Sequence, residues 1–532
     1  MTAAVNENAR CTRPFENLPF RNPMKLNFPL LLIFFLFVNA AAQNYSPCII
    51  TGKDLYDQGK YEESLKALEK CTDSSDAVHR NLFIGCACIR LKQYERGFAL
   101  LQAIPPEDEV YIRSLNALGA GHQMLDQYDS AIIYYNRVIA MDSAYIFGFY
   151  NRGMAYLDLE EFDSAMFDLK YHLAVHPDDA DGHCLIGDLH SDMGNYDEAL
   201  KMINEAIEMN PNSDKYFRSR AYVFDDMERF DDAEKDFEKA IDLNKDEGLN
   251  YYGLGYLYFY MDDFHFEEAL EAFEKASKLL KDGQSSYMLG RTYKYLENYE
   301  KAHELFGEAI RLENNDPDYY AEDALVLMDL QRYDDALKQI ETAIALDSEN
   351  SELYLDRSDI HLEAKHPNEA LADAEKAIEL DEKNEDAWFS KAFVLTDLGT
   401  SNRAEAINCY SRAIELDPLY EVAYYNRALL WEKEAEIDEA ISDYTEAIRL
   451  DPDYSDAYFN RALIFDAQEL KTKAIDDYTE VIRVDPNDVD AYFNRALLYE
   501  QTGNYWKYCE DMKVAAALGD LDAKEIVKAE CN

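Results

Sequence analysis

A period of 34 residues runs through nearly the whole chain. Small residues (Gly, Ala or Ser) recur fourteen times between Gly52 and Ala496, at steps of 33 to 36 residues. Two further columns, mostly alanine, lie twelve and nineteen residues after the first in most repeats. A unit of this length cannot bury its own apolar face, so neighbouring units must stack to form a core. The period therefore predicts a row of similar helical hairpins rather than several separate globular domains.

The composition agrees with a folded helical chain. Its 40 Tyr and 26 Phe need a core to pack in, unlike the aromatic-poor composition of disordered acidic chains. Only 14 Pro and 20 Gly leave the helices largely uninterrupted. The 106 acidic residues against 52 basic ones give a net charge of -54, which repels phosphate backbones, so we expect no nucleic-acid partner. A basic partner, divalent cations and mere solubility all remain open as reasons for the charge.

The pattern around the small residues is specific. With the first small residue counted as position 8, small residues also occupy positions 20 and 27, and aromatic residues recur at positions 4, 11 and 24, as in Tyr458, Phe465 and Tyr478. Over residues 46–522 this pattern resembles that of the tetratricopeptide-repeat family, and in particular that of its exported bacterial members. The resemblance implies an all-α fold, a right-handed superhelical solenoid of about fourteen helix-turn-helix repeats. It also implies a capping helix over residues 523–532.

Two positions of the repeat change character together. Position 7 is Arg in six repeats, and the residue sixteen places later is then always Asp. Where position 7 is apolar, as at Ile84, the later residue is apolar too, as at Leu100. We therefore predict that the two side chains touch and that an ion pair joins the helices of these hairpins, as a structural feature rather than an active site. The predicted pairs are Arg152 with Asp168, Arg220 with Asp236, Arg357 with Asp373, Arg427 with Asp443, Arg461 with Asp477, and Arg495 with Asp511.

The resemblance also implies where a ligand lies. In this family the first helices of the repeats line a concave groove, with positions 2, 5, 6, 9, 12 and 13 facing it. Four repeats carry an aromatic residue followed by Asn at positions 5 and 6, which makes the candidate groove residues Tyr150, Asn151, Tyr425, Asn426, Phe459, Asn460, Phe493 and Asn494. An Asn amide can donate and accept, so a ladder of Asn side chains can hold a peptide backbone. The alternative, that these Asn residues only cap or solvate the helix, stays open.

The charge of the predicted groove limits its ligand. Position 2 is mostly acidic, as at Asp386, Asp456 and Asp490. A groove of this charge disfavours the acidic tails that some members of the family bind. We therefore expect a protein or peptide partner with a neutral or basic segment.

The amino terminus has the three regions of a secretory signal. Met24 and Lys25 precede an apolar run from Phe28 to Val38, and small residues follow up to Ala42. We interpret residues 24–42 as a signal peptide cleaved after Ala42. The eleven-residue run is too short for a permanent membrane span, which needs roughly 20 residues. The true start is either Met1 or Met24. If it is Met24, residues 1–23 are an extension that is not part of the product.

Export would allow the cysteines to pair, and two pairings suggest themselves. Cys48 and Cys71 fall at opposite ends of the first hairpin, so antiparallel helices would bring them together. Cys509 and Cys531 lie in a segment that resembles the capping segment of exported members of the family. Spacing alone proves neither pair.

No arrangement of residues indicates catalysis or a cofactor. His172 and His176 share a helix face, but no third metal ligand is evident. No long segment outside the repeats remains for an enzyme domain. The sequence therefore predicts a non-enzymatic exported scaffold or adaptor, located in the periplasm, the outer envelope or outside the cell. The alternatives are an acidic structural component of the cell envelope or surface, and a regulatory subunit of a separately encoded enzyme. The oligomeric state is not predicted.

Overall fold

A computed structural model describes residues 46–71, 76–261 and 265–531 of the chain. The predicted signal peptide 24–42 and the stretch 1–23 lie outside these residues. Within the described ranges there are twenty-nine α-helices and no strand, so the predicted all-α class and the consecutive paired helices are confirmed. No helix in these ranges is long and apolar enough to cross a membrane.

The chain divides into two compact units, which meet in the sequence between Lys281 and Asp282. The helices of the amino-terminal unit are α1 (Pro47–Asp57), α2 (Tyr61–Glu69), α3 (Ala77–Arg90), α4 (Tyr94–Gln102), α5 (Tyr111–Gln123), α6 (Tyr128–Met141), α7 (Ile146–Asp158), α8 (Phe162–Val175), α9 (Ala180–Asp192), α10 (Tyr196–Met209), α11 (Asp214–Asp226), α12 (Phe230–Leu243), α13 (Gly248–Tyr260) and α14 (Phe266–Leu280).

The carboxy-terminal unit contains the remaining helices and one short 3-10 turn, Thr400–Asn402. Its helices are α15 (Gly283–Tyr295), α16 (Tyr299–Leu312), α17 (Pro317–Asp329), α18 (Tyr333–Leu346), α19 (Ser351–Glu363), α20 (Pro367–Leu380), α21 (Glu385–Asp397), α22 (Arg403–Leu416), α23 (Glu421–Lys433), α24 (Ile437–Leu450), α25 (Ser455–Ala467), α26 (Lys471–Val484), α27 (Val489–Gln501), α28 (Tyr505–Leu518) and α29 (Leu521–Glu530).

Each repeat forms one antiparallel hairpin, from an odd-numbered first helix and the even-numbered second helix that follows it. In the first hairpin, the Ser64 hydroxyl donates to the Gly52 carbonyl at 2.6 Å, and the rings of Tyr56 and Tyr61 lie 5.2 Å apart. Residues close to the turn on one helix therefore contact residues close to the turn on the other, and residues far from it contact residues far from it. This is the pattern of antiparallel helices. Within a unit, successive first helices also touch, as between Tyr319 and Gln284, whose side-chain oxygens are 3.2 Å apart.

The three small-residue columns lie where helices cross. Ala324, Ala336 and Ala343 of one repeat are fully buried, and so are their equivalents in most other repeats. Side chains without branches at these points let two helix backbones approach closely. Large rings fill the remaining space, and Tyr444 and Tyr478 at position 24 are fully buried. The core of each hairpin therefore consists of small residues packed against large aromatic ones.

Aspartate residues end many of the second helices. Asp451 stops α24, and its carboxylate accepts a hydrogen bond from the backbone N–H of Asp453 at 2.9 Å. Asp347 makes the same turn with Glu349 at 3.3 Å, although no proline follows it. The side chain thus replaces helical hydrogen bonding with a local turn. The same turn therefore forms both with and without a proline after the Asp residue.

Both ends of the solenoid carry a disulfide. Cys48 and Cys71 are bonded across the first hairpin, with a Cα–Cα distance of 5.8 Å. Cys509 and Cys531 join α28 to the end of the capping helix α29, with a Cα–Cα distance of 5.2 Å. That helix begins at Leu521, slightly before the predicted boundary at 523. Each disulfide fastens an end hairpin that has a neighbour on one side only.

Two glycines of the eighth repeat test the packing at the helix crossing. An alanine methyl at position 290 would lie 2.8 Å from the buried ring of Phe306, whereas one at position 307 would meet nothing within 4 Å. We expect Gly290→Ala to lower the free energy of unfolding by about 1–3 kcal/mol through overpacking. Gly307→Ala, in an exposed helical position, should raise it by about 0.5–1 kcal/mol. Chemical denaturation of both variants measures this, and equal effects would contradict the packing described.

Candidate functional site

Six arginine–aspartate pairs join the two helices of their hairpins. In each pair, Nε and Nη2 of the arginine donate to the two carboxylate oxygens of the aspartate, at 2.6–2.9 Å. All six aspartates are buried. The pairs are the six expected from the sequence: Arg152 with Asp168, Arg220 with Asp236, Arg357 with Asp373, Arg427 with Asp443, Arg461 with Asp477, and Arg495 with Asp511.

Five of the six guanidinium groups also reach a third helix. Nη1 of Arg461 donates to the Thr445 hydroxyl at 2.9 Å, and that residue belongs to the second helix of the preceding repeat. Four other arginines bond in the same way to Asn136, Asn204, Ser411 and Thr479. Each of these partners lies sixteen residues before its arginine, a polar position that we did not single out in the sequence. The arginines therefore fasten consecutive repeats together as well as the helices within one.

The predicted groove residues divide into two groups. Tyr150 and Asn151 are buried, with Asn151 only 1% exposed, and its amide donates to the Asn116 side chain at 2.9 Å. Their assignment to the groove was therefore wrong. The physical reason is that Asn116 of the preceding first helix offers a polar partner inside the stack, which draws this Asn inward.

The three pairs in the last repeats remain at the surface. Tyr425, Asn426, Phe459, Asn460, Phe493 and Asn494 are all half-buried. The Asn460 amide donates to the Tyr425 hydroxyl at 3.0 Å, and the Asn426 amide donates to the Val422 carbonyl at 2.9 Å. These bonds hold the two amides in place along the first helices. Leu463, one turn after Phe459, is 45% exposed beside them.

Charge differs sharply between the two units. We define the first-helix face of a unit as positions 2, 5, 6, 9, 12 and 13 of its repeats. In the amino-terminal unit this face carries seven acidic and five basic residues. In the carboxy-terminal unit it carries three basic residues, Arg291, Lys294 and Lys433, and fourteen acidic ones: Asp318, Glu322, Asp329, Glu352, Asp356, Asp359, Glu363, Asp386, Asp397, Glu432, Asp456, Asp466, Asp490 and Glu500.

The bases of the amino-terminal face are matched by nearby acids. Lys215 Nζ lies 3.2 Å from the Asp181 carboxylate, and Arg218 lies 3.7 Å from Asp214. This face is therefore close to neutral.

The carboxy-terminal face keeps an excess of negative charge. Burial opposes the change, but Lys294 at 2.7 Å and Arg291 at 3.5 Å lower the pKa of Glu322 below its usual value. Both bases lie closest to the Glu322 carboxylate. On the next first helix, α19, burial and the charges of Asp359 and Glu322 raise the pKa of Asp356 well above its usual value. Lys294 opposes this rise, but burial and the neighbouring acids outweigh it, so this face has room for a further positive charge from outside.

No group of three or more His, Cys, Asp or Glu residues in the described parts of the chain is arranged to hold a metal ion. His172 instead bonds to the Asp179 carboxylate at 2.6 Å.

The comparisons with known proteins agree on the repeat. Models described as tetratricopeptide repeat or TPR repeat match residues 180–213, 219–247, 283–316, 322–387, 422–454 and 472–503. No curated protein matches the chain.

Several solved structures are similar in fold. Yeast Tom70 is 19% identical, with 82% of this chain and 96% of that one covered and a TM-score of 0.40. The Cut9 assembly with Hcn1 is 13% identical, with 91% and 96% covered and a TM-score of 0.45. YrrB, described as a TPR protein with an unusual peptide-binding site, is 24% identical, with 36% and 97% covered and a TM-score of 0.32.

Replacing one partner of an arginine–aspartate pair should lower the free energy of unfolding far more than replacing both partners does. Arg461→Leu leaves the buried Asp477 carboxylate without its counter-charge, and we expect a loss of about 3–5 kcal/mol in the free energy of unfolding. Arg461→Leu with Asp477→Leu copies the apolar pair that other repeats carry, such as Leu289 and Leu305, and should stay within about 1 kcal/mol of the parent. Denaturant unfolding of the single and double variants measures the coupling, and additive effects would contradict it.

Proposed function

The chain belongs to the tetratricopeptide-repeat family, and from that premise we propose that it is an exported scaffold that binds an extended, basic polypeptide segment. Repeats of this family serve as scaffolds for protein–protein interaction. We propose the first-helix face of the carboxy-terminal unit as the binding surface and assign the chain no catalytic role. The observation that carries the proposal is the excess of carboxylates on this face, fourteen acids against three bases.

A cationic side chain would relieve an unfavourable arrangement around Asp356. Its raised pKa means that burial and the neighbouring acids, Asp359 foremost, disfavour the ionised form. A Lys or Arg side chain of a ligand placed there adds a positive charge in a partly desolvated site, where Coulomb attraction is stronger than in water. The same charge repels phosphate backbones and acidic tails, so neither nucleic acid nor an acidic peptide suits this face.

The Asn ladder adds a contact that does not depend on the ligand's side chains. Asn426, Asn460 and Asn494 recur at intervals of 34 residues on consecutive first helices. Their carboxamides can donate to and accept from a peptide backbone. The aromatic residue before each Asn and the exposed Leu463 supply apolar surface beside the ladder. We therefore propose that the last repeats contact the backbone of the bound peptide. The acidic repeats before them select peptides with basic side chains.

Export is supported by two separate features. The signal-like segment 24–42 predicts passage through the secretory pathway. The disulfides at both ends of the solenoid require an oxidising compartment to form and persist. A periplasmic, outer-envelope or extracellular location is part of the proposal.

Removing two carboxylates from the acidic face should weaken binding of basic peptides selectively. The variant is Asp356→Asn with Asp359→Asn, and its matched control is Asp334→Asn with Glu341→Gln, two exposed acids on the second helix α18. We expect the first variant to weaken binding of a Lys- and Arg-rich extended peptide about tenfold or more, and the control to leave it nearly unchanged. Fluorescence anisotropy with basic, neutral and acidic peptides of equal length measures this at low and moderate salt. Preference of the parent protein for the acidic peptide, or equal effects of the two variants, would contradict the proposal.

The Asn ladder makes a different prediction. We expect the triple variant Asn426→Ala, Asn460→Ala, Asn494→Ala to lower the affinity for basic and for neutral peptides by the same factor. The reason is that backbone contacts do not depend on the peptide sequence. The same anisotropy titration measures it, with a thermal melt to verify that the fold is intact. Unchanged affinity for both peptides would show that the Asn residues only solvate the helix face.

A further inference from the structure

The first-helix face of the last four repeats has an apolar band along its middle. Helices α21, α23, α25 and α27 carry positions 2, 5, 9 and 12 on one stripe, because these positions are three or four residues apart. Position 9 is Phe or Leu in all four repeats, as at the exposed Leu463. Position 5 is aromatic and half-buried in all four, at Phe389, Tyr425, Phe459 and Phe493. We call the residues at positions 5 and 9 of these repeats the apolar band.

Buried rings hold the aromatic residues of the band in place. Phe389 packs against Tyr410 with ring centroids 5.5 Å apart, and Phe459 packs against Tyr478 at the same distance. Tyr410 and Tyr478 are fully buried in the cores of their hairpins. The band therefore presents a preformed apolar surface, and its side chains lose little freedom when a ligand packs against them.

A row of carboxylates lies along each side of the band. Position 2 comes one turn before the band and position 12 one turn after it. At a rise of 1.5 Å per residue, the two positions are about 15 Å apart along the helix. Lys433 is the one base on this face of the last four repeats. The first acidic row is Asp386, Asp456 and Asp490 at position 2, and the second is Glu432, Asp466 and Glu500 at position 12.

A ligand that complements this face has three sides. One side is apolar and packs against the band, and the other two carry basic groups toward the two acidic rows. A β-strand does not suit, because its side chains alternate between two opposite faces, so that those not facing the band point away from the protein. An α-helix can reach both rows, but its backbone groups bond to each other and leave the Asn ladder without a partner.

A polyproline II helix meets both requirements. It has three residues per turn, so every third side chain lies on the same side, and its backbone forms no internal hydrogen bonds. Asn426 and Asn460 use an amide N–H to bond Val422 and Tyr425, respectively, so their carboxamide oxygens can accept from peptide N–H groups. Surfaces lined by aromatic residues are a recurrent docking place for this conformation.

We propose that the first-helix face of the last four repeats binds a polyproline II segment with a repeating triplet. The first residue of each triplet is apolar, most simply proline, and the other two are Lys or Arg. The apolar residues pack against the band, and the two bases of each triplet face the two acidic rows. This inference rests on the proposed function and adds to it the conformation and the sequence pattern of the bound segment.

Two peptides of equal composition and charge test the triplet. One consists of six Pro-Lys-Lys triplets, and the other has the same six prolines together in its middle with the lysines on both sides. Fluorescence anisotropy with the purified full-length chain, as its host processes it, measures both affinities. We expect the triplet peptide to bind at least about tenfold more tightly. Equal affinities overturn this inference and leave the proposed function standing, whereas binding of neither peptide contradicts the proposed function as well.

Removing one acidic row at a time tests the three-sided arrangement. The two variants are Asp456→Asn with Asp490→Asn, and Asp466→Asn with Glu500→Gln. The two peptides are repeats of Pro-Lys-Ser and of Pro-Ser-Lys, which place their bases on opposite sides of a polyproline II helix. We expect each variant to weaken one peptide about fivefold or more and the other less than about twofold, with the two variants affecting different peptides.

Thermal melts of both variants verify that the fold is intact. A ligand without threefold order presents its bases to both rows alike. Equal weakening of the two peptides by each variant therefore overturns the polyproline II arrangement, even if both peptides bind the parent protein.

Discussion

The structure depends on the close approach of helices at the small-residue columns. A glycine, alanine or serine at positions 8, 20 and 27 lets two helices of a hairpin, and then two hairpins, meet nearly backbone to backbone. Gly290 against the buried Phe306 ring shows how little room remains there. Because every hairpin leaves an apolar edge for the next, the core continues along the chain within each unit. The arginine–aspartate pairs add a directional constraint, since each guanidinium has fixed partners on up to three helices.

This construction explains why the surfaces can vary independently of the fold. Positions 2, 5, 6, 9, 12 and 13 on the first helices and positions 22 and 26 on the second helices contribute little to the crossings. Charge can therefore accumulate on one first-helix face, as around Asp356, while the other stays nearly neutral. In the same way, Ile133 and Phe167 can replace the charges that later repeats carry without disturbing the hairpins beneath them.

Much of the fold could be predicted from the sequence because the signals repeat. One hairpin would have been ambiguous, but fourteen aligned copies fix the helices, and the joint change of positions 7 and 23 indicates a contact such as that between Arg461 and Asp477. Features that depend on the neighbouring repeat were harder to predict. The burial of Asn151 follows from Asn116 in the hairpin before it. The contact of Arg461 with a third helix follows from Thr445, which also belongs to the preceding repeat. Alignment of a repeat with its own copies shows which residues share a position, not which of them the next hairpin covers.

We propose that a basic, extended segment lies along the first helices of the carboxy-terminal unit. The most direct measurement places a photo-crosslinking amino acid at Leu463, on that face, and in a second protein at Lys473, on the second helix of the same repeat. After crosslinking in the native cell, mass spectrometry identifies the captured peptide segments. We expect the captured segments to be rich in Lys and Arg and without regular secondary structure, and we expect capture from position 463 and not from position 473. Capture of acidic segments at 463, or equal capture from both positions, would contradict it.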